Sequence, residues 1–317
     1  MKSSHFLIPS FLLIISCNET KTEKIIATEA DLGEALYFDP ILSRDSTVSC
    51  ASCHKREFAF ADNTPVSVGI YHQKGTRNTP SSMNQSNRNA YFWDGRAETL
   101  EEQALGPIEN PVEMDLPISL AIRRLIRNEK YKNAFVSIYK QQPSAKLLAQ
   151  ALSGFEKTLE TNNSPFDKYM DERDTTLFSE SAKRGLDLFN GKAKCFDCHF
   201  GVDFSGNDHY KNIGLYNGKE LNDKGRYEIS KDPKDLGAFK TPGLRNIAQT
   251  APYMHNGMFK TLTQVIEHYD QPDKFVKGAI NLDTSMSKPL NLSQKEKGDL
   301  VNFMISLSDE RFNKKNK

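Results

Sequence analysis

One five-residue pattern, Cys-x-x-Cys-His, occurs twice in this chain, as Cys50-Ala-Ser-Cys53-His54 and Cys195-Phe-Asp-Cys198-His199. Positions i, i+3 and i+4 share a helix face, so each copy presents two thiols and an imidazole to the same side. That arrangement suits covalent attachment of a c-type haem. The thiols form thioethers with the haem vinyl groups, and the His supplies an axial nitrogen to iron. A pair of disulfides, a four-thiolate zinc site and thioredoxin-like redox pairs are the alternatives. Zinc would leave both adjacent His without a role, and a thioredoxin pair expects a βαβ context that is missing here.

The fifth cysteine, Cys17, closes an N-terminal segment in which Lys2 precedes the apolar run from Phe6 to Ile15. The run reads as an export signal and is too short to span a membrane. Ile14-Ile15-Ser16-Cys17 resembles a bacterial lipobox, which makes residues 1–16 a signal peptide and Cys17 the lipidation site; an ordinary signal peptide with Cys17 discarded is the alternative. Export agrees with c-type haem, which bacteria attach outside the cytoplasmic membrane. The expected location is therefore the periplasmic side of a bacterial membrane, anchored by lipid only.

At roughly 150 residues per domain, the 317 residues predict two domains with one haem motif each. Balanced charge, 42 Lys and Arg against 41 Asp and Glu, excludes the broad basic field that nucleic-acid binding requires. Residues 17–28 are polar and read as a tether. The N-terminal haem domain is expected over 29–173 and the C-terminal one over 174–317, with the boundary near the charged Asp171-Glu-Arg-Asp174. Apolar residues at three- and four-residue intervals predict helices at Ile118–Arg127, Glu129–Tyr139, Ala145–Glu160, Thr261–Tyr269 and Ser293–Leu307. Short helices are also expected before each haem motif, where Gly33/Leu36/Tyr37 and Gly185/Leu188/Phe189 make an internal repeat of cytochrome c type. The expected fold is all-α, two cytochrome-c-like domains with little or no sheet, and segments 61–90 and 201–249 as loops around the haems.

Two haems alone would serve a plain electron carrier, but the stretch from Phe92-Trp93-Asp94-Gly95-Arg96 through Gln103 and Gly106-Pro107-Ile-Glu109-Asn110-Pro111 to Glu113-Met114 goes further. It resembles the signature loop of bacterial di-haem cytochrome c peroxidases and their MauG-type relatives, and the likeness runs from Gly33 to about Ser308. The resemblance implies reduction of hydrogen peroxide to water, with electrons from a small periplasmic cytochrome c or cupredoxin. It places Glu113 over the first haem to move the peroxide proton, Gln103 to hydrogen-bond peroxide, and Trp93 between the haems as a relay. It further implies one Ca²⁺ held by Asn78, Thr250 and Pro252, and a possible homodimer.

Two positions depart from the usual peroxidase pattern. Ile70 stands where a loop His caps the first haem iron at rest, which predicts an open first haem; His72 is the alternative ligand. At the second haem, the family's Met ligand position, fourteen residues after His255, is Tyr269, as in MauG-type enzymes. Phenolate favours high oxidation states where a thioether raises the potential. His268, Met254 and Met258 are the alternatives. His255 is expected to organise the second pocket, Arg245 is a candidate partner for a haem propionate, and His209 reads as a loop residue. The rival functions are a MauG-type enzyme that oxidises a partner protein and a non-enzymatic di-haem carrier.

Overall fold

The computed structural model describes residues 25–312. The predicted signal segment, the Cys17 lipidation site and most of the tether lie outside these residues. The helices are α1 (Glu29–Phe38), α2 (Cys50–Cys53), α3 (Leu100–Glu109), α4 (Ile118–Arg127), α5 (Glu129–Tyr139) and α6 (Ala145–Glu156). They continue with α7 (Pro165–Met170), α8 (Glu180–Asn190), α9 (Tyr227–Ser230), α10 (Leu262–Asp270) and α11 (Gln294–Ser306). Among the described residues no helix is long and apolar enough to cross a membrane.

Local chemistry sets the helix starts. Thr28 and Asp31 cap α1 reciprocally, as Ser293 and Glu296 cap α11, and the Ser144 hydroxyl accepts from Leu147 N at the start of α6. The α6 helix stops four residues before the predicted Glu160. There the Thr158 hydroxyl donates to Phe155 O at 2.7 Å, and Leu159 O turns away to accept from Asn84 N. The α3 helix escaped the periodicity because Gly106 and Pro107 interrupt it. Pro107 has no N–H for the Gln103 carbonyl, yet the Thr99 hydroxyl caps the helix and Leu100, Ala104 and Ile108 bury one face.

Two helix contacts repeat the same design. In the first, α1 lies so close to α6 that a Cβ on Gly33 would sit 1.9 Å from Ala151 O and 2.8 Å from Phe155 Cβ. In the second, α8 meets α11, where a Cβ on Gly185 would sit 2.1 Å from Asp299 O and 2.7 Å from Phe303 Cβ. Around the first contact a hydrophobic core gathers Leu32, Leu36, Tyr37, Leu148, Leu152 and Phe155; around the second, another gathers Ala182, Phe189, Leu300, Phe303 and Leu307. A small sheet pairs β1 (Tyr210–Lys211) antiparallel with β2 (Phe239–Lys240), inside a region expected to be loop. It gives rigid backbone to the junction between the two haem motifs.

Gly33→Ala forces backbone and the Phe155 side chain apart. The expected cost is about 1–3 kcal/mol in a urea unfolding experiment on the holoprotein.

Candidate active site

Each motif His is held the same way. The His54 Nδ1 donates to Phe60 O at 3.0 Å and the His199 Nδ1 to Phe204 O at 2.8 Å, with the carbonyls of Pro80 and Pro242 as further acceptors. Burial holds both imidazoles below the ordinary His value and therefore neutral, the form that ligates iron. With Nδ1 engaged by backbone, Nε2 is the nitrogen left for the space in front of it. None of the four motif cysteines is held in a disulfide.

That space is one continuous cavity, lined by His54, Gln103, Trp93, His199 and Tyr269 among others. The donor set fits haem: two neutral imidazoles with their orienting bonds in place, each beside a pair of unpaired thiols.

Trp93 sits where the halves meet. Its Nε1 donates to Asn78 O at 2.8 Å, its carbonyl accepts from Lys240 N at 2.8 Å, and its ring meets His255 edge-on with centroids 6.5 Å apart. His255 stacks on Phe239 at 3.7 Å, and burial pushes it down to about 4, so it remains neutral at physiological pH. Gln103 lines the cavity from α3, whereas Glu113 is not among the lining residues. The Glu113 carboxylate accepts from Asn110 Nδ2 at 2.7 Å and acts electrostatically on Cys50 and Cys53, which puts it beside the first motif. Burial raises its pKa, against the opposing pull of Arg96 and Asn110. Ile70 is fully buried and its N–H donates to Glu113 O at 2.8 Å, while His72 is exposed. Gly69 is packed against Val112 and Glu113, where a Cβ would meet Val112 O at 2.2 Å.

At the second motif, Tyr269 and Met254 line the cavity, and His268 and Met258 do not. Burial raises the Tyr269 phenol well above its usual value, helped by Cys198 and Cys195, so the ring lies close to the second pair of thiols. A phenolate there requires a cation beside it. His268 Nε2 is bonded to Ile213 O at 2.8 Å. Of the residues expected at calcium, Asn78 and Thr250 line the cavity. Asn78 N donates to His255 O at 2.6 Å, which brings it against the loop that carries Thr250 and Pro252. His209 is an exposed loop residue outside the cavity lining.

Arg245, the expected propionate partner, lines the cavity. Its guanidinium is paired with Asp167 at 2.7 Å and donates to Val202 O. The guanidinium with a spare donor is Arg88, whose side chain is 5% exposed, whose Nη1 pairs with Asp208 at 2.9 Å and whose Nε is buried without a protein partner. Lys240 shares Asp208 at 3.1 Å, and burial together with Arg88 pushes its pKa down to about 8. Two buried cations on one carboxylate, both lining the cavity, suit the carboxylates of haem. Sequence reasoning missed this cluster because Arg88, Asp208 and Lys240 lie in three separate segments of the chain. It also missed Glu156, which is 6% exposed, lines the cavity, is hydrogen-bonded to Ser82 and is raised by burial to about 8. The repeated Thr-Pro at 79–80 and 241–242, one per haem motif, was the available signal for the loops that hold the two imidazoles.

A mostly helical chain with two haem-attachment motifs facing one cavity, and an indole pinned between them, is the outline of a di-haem peroxidase. The chain belongs to that family. Residues 27–175 match the model of the di-haem cytochrome c peroxidases, which also covers MauG. It is 36% identical to the methylamine utilization protein MauG of Methylorubrum extorquens, over 92% of this chain and 81% of that protein. It is 38% identical to the cytochrome c551 peroxidase of Pseudomonas aeruginosa, over 78% of this chain and 73% of that one. The crystal structure of a MauG-like protein associated with microbial copper homeostasis superposes with a TM-score of 0.79 at 29% identity, covering 91% of this chain and 93% of that chain. Membership of the family implies two haem c groups.

Asp208→Asn leaves Arg88 and Lys240 buried without their shared carboxylate. A loss of about 3–5 kcal/mol is expected in denaturant unfolding followed by far-UV circular dichroism.

Proposed function

We propose that this protein is a di-haem cytochrome c peroxidase that reduces hydrogen peroxide to water with electrons from a small exported cytochrome c or cupredoxin. The observation that carries the reading is a neutral, backbone-oriented imidazole at each motif facing one cavity, with Trp93 bonded to both halves between them. When bound, the haems supply the iron centres at which peroxide is reduced and the store of electrons. The two cytochrome-c-like domains are taken as 29–173 and 174–317, following an exported tether lipidated at Cys17.

The chain's own groups do the rest. Cys50, Cys53 and His54 would hold the first haem; Cys195, Cys198 and His199 would hold the second, with Tyr269 as a further ligand. Glu113 moves a proton from one peroxide oxygen to the other, and its burial supports that role by bringing the carboxyl closer to neutral pH. Gln103 supplies a hydrogen bond to bound peroxide. Trp93, half-buried and bonded at Nε1 to Asn78 O, connects the two halves electronically. Ca²⁺ at Asn78, Thr250 and Pro252 stiffens the same junction.

Glu113→Gln is expected to lower kcat/KM for peroxide by about 10²–10⁴-fold while both haem spectra stay as in the wild type. Because the acting form is the carboxylate and burial raises its pKa, wild-type kcat/KM falls as pH drops through a value above the ordinary Glu pKa of about 4.3. The variant lacks that acid limb. Steady-state oxidation of reduced cytochrome c over pH checks both.

A second reading, a MauG-type enzyme that stores two oxidising equivalents to oxidise a partner protein, is favoured by Tyr269 beside the second thiol pair and by Ile70 buried against Glu113. Stopped-flow mixing of the diferric protein with one equivalent of peroxide separates the two. Rapid turnover with reduced cytochrome c is expected; a long-lived near-infrared band without turnover supports the second reading.

A further inference from the structure

The two haem pockets are built on one plan, and they differ behind the axial His. The glycine contacts supply the register. Gly33 meets Ala151 and Phe155 as Gly185 meets Asp299 and Phe303, so Tyr37 corresponds to Phe189 and Glu156 to Met304. The backbone acceptors of the imidazoles supply the rest. Pro80 corresponds to Pro242, hence Ser82 to Leu244. Three positions are thus polar in the first half, Tyr37, Ser82 and Glu156, and apolar in the second, Phe189, Leu244 and Met304.

The polar three are connected. Ser82 Oγ lies 3.1 Å from His54 Nδ1 and 2.9 Å from the Tyr37 hydroxyl, and it is hydrogen-bonded to the Glu156 carboxyl. One hydrogen and two lone pairs on Oγ are enough for these three contacts. Tyr37 is 1% exposed and Glu156 6%, so the network operates away from bulk water. His199 has its backbone acceptors and nothing equivalent, since the Leu244 side chain can accept no hydrogen bond.

We propose that Ser82 and Glu156, with Tyr37 fixing the hydroxyl between them, are positioning residues that make His54 a more electron-rich ligand than His199 and so set the first haem at a lower potential than its proximal ligand alone would. An acceptor on the far nitrogen of a metal-bound imidazole raises the basicity of the ligating one, and hydrogen bonding around axial ligands is a main control of haem potential. One molecule thereby carries an electron-rich proximal ligand at the proposed peroxide site and a plain one at the other. The inference rests on the reading of His54 and His199 as iron ligands.

Spectroelectrochemical titration of the two-haem holoprotein, combined with the iron–imidazole stretch from resonance Raman, tests it. Ser82→Ala is expected to raise the midpoint potential of the first haem and lower its stretching frequency, with the second haem at wild-type values. Glu156→Met shifts the first haem in the same direction, and Glu156→Gln, which retains an acceptor oxygen, restores most of the wild-type potential. If Glu156→Met fails to load haem, Ser82→Ala, which removes one hydroxyl, still decides. An unchanged first-haem potential and stretch in Ser82→Ala, or equal shifts at both haems, overturns the proposal. Failure of the underlying reading looks different: the wild-type holoprotein would then show no iron–imidazole stretch at the first haem, or keep it in His54→Ala.

Discussion

The contact on which this architecture depends is the approach of two helix backbones at a residue without a side chain, made once at Gly33 and again at Gly185. A helix pair normally keeps 8–10 Å between axes because side chains interleave. Here the carbonyls of Ala151 and Asp299 occupy the space where a Cβ would be. The close approach packs Phe155 and Phe303 directly on the facing helices and brings the next residues, Glu156 and Met304, to the cavity wall. The imidazoles are then fixed by loop carbonyls rather than by helix, so the helices provide the wall and the loops the aim.

The junction between the halves is polar, which is unusual for so buried a place. Arg77 bridges Asp94 at 2.6 Å and Asp223 at 2.7 Å, and Arg226 donates to the carbonyls of Asp94 and Gly95, so charged side chains of the second half grip the loop that carries Trp93. Bidentate guanidinium bonds give directional hold where apolar packing would let the loop slide. The indole is a passenger of that grip: its ring is fixed by Asn78 O on one side and by the Phe239–His255 stack on the other.

Much was legible in the linear chain because the relevant chemistry is local. Haem attachment needs three residues within one turn, and α4, α5, α10 and α11 each carry an apolar stripe whose period is independent of what it packs against. The α3 helix was not legible, since Pro107 and Gly106 argue against a helix that Thr99 and tertiary packing nevertheless sustain. The partner of Arg245 inside the protein was not legible either: Asp167, near the start of α7, pairs with it only through folding.

The sequence by itself determined the cofactor chemistry, the helical class and the repeat, as these follow from residue type and short spacing. Only the tertiary structure decided which carbonyls aim the two imidazoles, that Arg88, Asp208 and Lys240 form one buried charge cluster, and that a serine and a glutamate stand behind His54 but not behind His199. The charge cluster and the network behind His54 join residues 28 to 120 positions apart. No local pattern encodes such meetings, because each is set by the path of the whole chain and by the exclusion of water from the place where they happen.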